Sequence, residues 1–112
     1  MHSSEPTEKE LLKQVLAPLL EDFNYWFSRC VSLLESETMP FLSSDEQGNL
    51  LQKIKQAQDE VQTSILLFKV TEGQVGIDTK ILMSWHQLVA QCWQIARKWR
   101  TTNEQLTMDN DQ

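Results

Sequence analysis

The chain has 112 residues, 40% hydrophobic and 23% charged, which fits one globular domain and excludes a disordered chain. Its formal charge of −6 lies in the first sixty residues, where eleven acids stand against five bases. An acidic chain repels the phosphate backbone, so nucleic-acid binding is disfavoured. With only three glycines and three prolines, there is room for long helices and little for a turn-rich β-fold.

Residues 1–7 read as a disordered start. Thr7 and Glu10 then have the spacing of a capping box. From there apolar residues recur at Leu12, Leu16, Leu19, Phe23, Trp26, Cys30 and Leu33, in alternating steps of four and three. That seam predicts a helix over 8–36. Pro18 falls inside it, where a proline removes a hydrogen bond and crowds the preceding turn. The unbroken phase favours a helix kinked at Pro18, with a short break near residue 17 as the alternative.

Met39-Pro40 disfavours helix, and Ser43 with Glu46, or Ser44 with Gln47, offers a second capping box. The next seam, Leu50, Ile54, Ala57, Val61, Ser64 and Phe68, predicts a helix over about 45–71. "TEGQVGID" follows. Gly73 is expected to end the second helix in a left-handed conformation, and Gly76 to let the backbone pass closely over the bundle end. Val75 reads as an apolar plug and Asp78 as the N-cap of a third helix. That helix carries the seam Leu82, Trp85, Val89, Cys92, Ala96 and Trp99, and the tail 105–112 is expected to fray. The architecture is therefore an all-α, up-down-up bundle of three long helices over residues 8–104.

On the first helix the apolar arc reaches roughly 200°, wider than the roughly 100° stripe one buried face requires. Leu20, Phe27 and Val31 lie in that excess, which points to contact with another chain, a homodimer being expected, with cover by the two other helices as the alternative. On the third helix His86, Trp93, Arg97 and Arg100 share a face away from the seam. A tryptophan beside arginines is the composition of an interface hot spot. It also suits a boundary tryptophan packed on a neighbouring helix with Arg97 against its ring.

Signals for chemistry are weak. "GQVG" matches a phosphate-clamping GxxG loop, but strands and flanking basic residues are missing from the pattern, so RNA binding is not expected. His86 and Cys92 lie off the i, i+4 spacing that puts two metal ligands on one helix face. Glu21-Asp22 and Asp59-Glu60 are adjacent in helices and diverge by about 100°, so they read as solvated faces. No catalytic residue, metal site or cofactor is expected. Cys30 and Cys92 read as reduced core thiols. No apolar run exceeds four residues, so no transmembrane segment is expected. "MHSSEPTEKE" has no signal-peptide pattern, and the expected location is cytoplasmic.

Taken together, "PLLEDFNYWFSR", "LLESE", "AQDEV", "LFKVTEGQVGID" and "WHQLVAQCW" resemble a cyanobacterial family of small proteins known as a domain of unknown function. The resemblance covers roughly residues 10–97 and implies a cyanobacterial cytosol. It carries over no catalytic residues. The expected function is a non-enzymatic interaction module that self-associates or docks on a protein partner. The alternative is binding of a hydrophobic small molecule, a pigment or lipid, between the helices.

Overall fold

The computed structural model describes residues 8–73 and 76–110. Three helices make up the fold: α1 (Glu8–Ser36), α2 (Ser44–Val70) and α3 (Thr79–Asn110). Among the described residues there is no strand. The expected disordered start at 1–7 and the Val75 plug lie outside the described residues. The segment expected to fray belongs to α3 as far as Asn110.

α1 is unbroken across Pro18, which removes the alternative of a gap near residue 17. The helix tolerates proline there because Pro18 and Gln14, whose carbonyl loses its amide partner, are both exposed. Water can satisfy that carbonyl.

The bundle is up-down-up, and side-chain pairs fix its registers. Gln58 donates to Ser28 at 2.6 Å, Gln62 to Asn24 at 3.2 Å, and Lys55 pairs with Glu35 at 2.7 Å, so α2 runs antiparallel to α1. Phe23 meets Trp85 and Trp26 meets Trp93, each pair with ring centroids 5.6 Å apart, so α3 runs parallel to α1. α1 lies against α2 along most of its length and against α3 over a shorter stretch, while α2 and α3 barely meet.

This central position of α1 explains its wide apolar arc. Its buried line is Leu20, Phe23, Phe27, Cys30 and Leu34, whereas the sequence seam ran through Leu19, Trp26 and Leu33, which are only half-buried. A helix covered on two sides buries the middle of its arc rather than either edge. Leu20 and Phe27, expected on a contact surface, are instead 1% and 0% exposed in the intramolecular core. Val31 is half-buried against that core. The seam of α2 lies where its periodicity placed it, with Leu50, Ile54, Ala57, Val61 and Phe68 buried. Trp85 is buried too, and its indole N–H donates to Glu60 at 3.2 Å. That bond removes the penalty of an unpaired indole in the core.

The corners are built from caps. Ser43 and Glu46 form the expected capping box, Ser43 Oγ accepting from the Glu46 amide at 3.0 Å and the Glu46 carboxylate from the Ser43 amide at 2.8 Å. Gln47 does something the sequence did not announce. Its Nε2 donates to the carbonyls of Leu34 and Glu37 at 2.9 and 2.8 Å, and its Oε1 accepts from the Met39 amide at 2.9 Å. One side chain from α2 thus satisfies the open end of α1, over the fully buried Met39.

α2 ends in a Schellman motif, with Gly73 N–H donating to Phe68 at 2.7 Å and Glu72 N–H to Lys69 at 3.2 Å. Gly73 is left-handed as expected, at φ +81°, but the residue in the terminating position is Glu72, at φ +55°. Gly73 also lies under the stem of Lys13, where an added Cβ would come within 2.7 Å. Gly76 corrects the expectation of a close pass, since an added Cβ there meets open space. Asp78 caps α3 as expected, its carboxylate accepting from the Lys80 amide at 2.9 Å.

Candidate functional site

Where α1 and α3 run side by side they leave an open groove of about 950 Å³. Trp26, Arg29 and Leu33 line it from α1, and Trp93, Ala96, Arg97, Trp99 and Arg100 from α3, with Cys30 and Cys92 at its floor. Trp93 stands edge-on to Trp26 with ring planes at 87°, and remains 42% exposed. Arg29 is held in place by Tyr25, whose hydroxyl accepts from Nη1 at 3.0 Å and whose ring lies 5.7 Å from the guanidinium carbon.

The groove therefore contains three tryptophans, three arginines and, among its described lining residues, no acid. In a chain of net charge −6 this is a local reversal of sign. Arg97 and Arg100 take no part in the ion pair found among the described side chains, which joins Lys55 and Glu35.

Of the residues singled out from sequence, Trp93, Arg97 and Arg100 come together here. His86 is exposed on α3 but does not line the groove. The boundary reading of Trp93 is right in that it packs on a neighbouring helix. Its partner is Trp26 rather than Arg97, and the cation–π pairs are Arg29 on Tyr25 and Lys98 on Phe41. Sequence reasoning missed Trp26 and Arg29 as groove residues. Each helix carries a Trp–Arg pair within one turn, Trp26 and Arg29 three apart on α1 and Trp93 and Arg97 four apart on α3, but only the pairing of the helices brings the two together.

The two thiols at the floor act on each other's ionisation. Hydrogen bonding from Cys92 lowers the pKa of Cys30 below its ordinary value, with burial opposing it. The same bond, then burial and the nearby Cys30 charge, push Cys92 up. The physical cause is shared: one thiolate is stabilised by the remaining S–H, and two adjacent thiolates would repel.

A second groove separates the start of α2 from α3, lined by Phe41, Leu50, Lys53 and Lys98 among others. Both grooves open to solvent. No group of three or more potential metal ligands occurs among the described residues, and no described helix is long and apolar enough to cross a membrane. Glu21, Asp22, Asp59 and Glu60 are all exposed.

The sequence profile of the family described as "Protein of unknown function (DUF2605)" matches residues 6–101. No curated protein and no solved structure matches the chain.

Proposed function

The chain belongs to the DUF2605 family, and we propose that it acts as a non-enzymatic protein-interaction module whose docking surface is the α1/α3 groove. The occupant this groove fits is an acidic protein segment bearing an apolar or aromatic anchor. One observation carries the reading: Trp26, Trp93 and Trp99 stand among Arg29, Arg97 and Arg100, with no acid in the described lining of an otherwise acidic chain. Tryptophan and arginine are the residues that dominate binding energy at interfaces, and the charge reversal steers an acidic partner while repelling a basic one. A cytoplasmic, cyanobacterial setting belongs to the same proposal and rests on the segments that resemble that family.

The test is a tryptophan-fluorescence titration of the purified chain with two synthetic peptides. One flanks a leucine or tryptophan anchor with glutamates, and the other replaces the glutamates with lysines. Saturable binding of the acidic peptide that weakens with salt, and is lost in Arg97→Ala/Arg100→Ala, supports the reading. Equal binding of both peptides, or of neither, overturns it.

A second reading, self-association, has its own observation. Leu11 and Val15 of α1, Leu66, Leu67 and Val70 of α2, and Ile81 and Met83 of α3 are exposed at the opposite end of the bundle from the groove. A twofold, end-to-end pairing would bury the same residues on both copies. Light scattering over a range of concentrations tests it, and a strict monomer removes it. A hydrophobic ligand enclosed between helices is less well supported, because the spaces between helices are open grooves.

A further inference from the structure

The chain has two cysteines, 62 positions apart (92 − 30), and the fold brings both to the floor of one groove. α1 and α3 run parallel, Phe23 lies against Trp85, and the same offset of 62 positions (85 − 23) brings Cys30 level with Cys92. Both thiols are free and 5% and 4% exposed, yet both reach the lining of the groove. A disulfide demands closely spaced Cβ atoms on facing elements. Cys30 and Cys92, level with each other on two packed helices at the floor of one groove, are placed to meet that demand. Small apolar side chains would fill the same core volume, but only this pairing places two sulfurs together beside an opening.

We infer that Cys30 and Cys92 are a reversible modification site, a disulfide that staples α1 to α3 at the floor of the groove. The oxidant class is a small disulfide, RSSR. The Cys30 thiolate attacks one sulfur of RSSR, a Cys30–S–S–R bond forms, and RS⁻ leaves. Cys92 gives its proton to solvent and attacks the Cys30 sulfur, which forms the Cys30–Cys92 bond and releases the second RS⁻. Two protein thiols are oxidised, one RSSR is reduced to two thiols, and a dithiol reverses the exchange. Cys30 is the first attacker because the Cys92 S–H stabilises its thiolate. The staple closes a long loop and joins the helix pair with the shorter contact, so it constrains the unfolded chain and holds the groove at one width. The inference stands whether or not the groove takes an acidic partner.

The experiment is incubation of the native, full-length chain with oxidised glutathione, read by intact mass, peptide mapping and thermal melting. Expected are a monomer lighter by two hydrogens, a mapped Cys30–Cys92 link, a higher melting midpoint, and reversal by dithiothreitol. Cys92→Ser should instead retain one glutathione on Cys30, because nothing resolves the mixed disulfide. Two thiols that stay free in the folded wild-type chain overturn the inference. Glutathione retained on both cysteines, or a disulfide between two chains, also overturns it. The wild-type measurement decides the matter even if Cys92→Ser folds poorly.

Discussion

Trp26 of α1 and Trp93 of α3 meet edge to face with ring centroids 5.6 Å apart, and this pair both joins two helices and stands in the groove. Trp93 is 42% exposed whereas Phe27, the residue after Trp26, is fully buried. An aromatic pair contributes about 0.5–1.5 kcal/mol beyond burial, and truncating a fully buried aromatic costs about 3–5 kcal/mol. Trp93→Ala should therefore lower stability by about 1–2 kcal/mol, well short of Phe27→Ala, in urea unfolding of the two variants side by side. Binding of the acidic peptide should fall sharply in Trp93→Ala. Equal destabilisation by the two variants would make Trp93 a core residue and remove it from the docking surface.

Gln47 should prove the most consequential polar side chain in the first corner. Its amide makes three bonds, to Leu34, Glu37 and Met39, and it is half-buried. At about 0.5–1.5 kcal/mol for each bond, Gln47→Ala should cost about 2–3 kcal/mol. Gln47→Glu should cost less than alanine at the Met39 amide but lose both donations to carbonyls. Chemical denaturation separates these outcomes.

The contrast between Gln47 and the helix seams shows what the sequence makes legible. Periodicity marks the buried face of α2 correctly because α2 buries a single stripe, from Leu50 to Phe68. On α1 it lands one residue to the side at Leu19, Trp26 and Leu33, because two neighbours share the arc and its centre is set by their positions. The capping box at Ser43 is local and is therefore legible, as is the Asp78 cap. Gln47 reaching back 13 positions to Leu34 is not local. Half the groove was visible as Trp93, Arg97 and Arg100. The other half needed the parallel register of α1 and α3, which no single helix encodes.

The second corner yields three substitutions with different signs. Glu72 holds a left-handed φ of +55°, which an L-residue with a full side chain adopts at a penalty of about 1 kcal/mol. Glu72→Gly should raise stability by up to about 1 kcal/mol. Gly73→Ala should lower it by about 1–2 kcal/mol, since φ is +81° and the new methyl meets the Lys13 stem. Gly76→Ala should be neutral or stabilising by about 0.4–1 kcal/mol, because an added Cβ there meets open space. Thermal melts of the three variants check the order.

The capping box gives an acid-side signature. The Ser43 amide, and then its hydroxyl, hold the Glu46 carboxyl below its ordinary range. A folded-state pKa below the unfolded value means stability that is present above the unfolded glutamate value, near 4.3, and is lost as pH falls through the folded value. Glu46→Gln keeps an acceptor but does not titrate. The stability gap between wild type and Glu46→Gln should close as pH falls from about 6 to about 3, in denaturant midpoints taken across that range. A gap that stays constant would show that the carboxylate's charge contributes nothing at this cap.

The position of α1 between two helices that barely meet each other has a kinetic meaning. α1 and α2 are consecutive, antiparallel and joined by the short corner that Gln47 closes, so they form a hairpin of local contacts that can assemble early. α3 then docks on one side of that hairpin and can leave it as a unit without unfolding the rest. Backbone amides around Phe27 and Ile54 should exchange with deuterium only through global opening, and those of α3 through a cheaper, partial one. Oxidation of Cys30 and Cys92 should erase that difference, because the departing helix would then remain tethered to the hairpin.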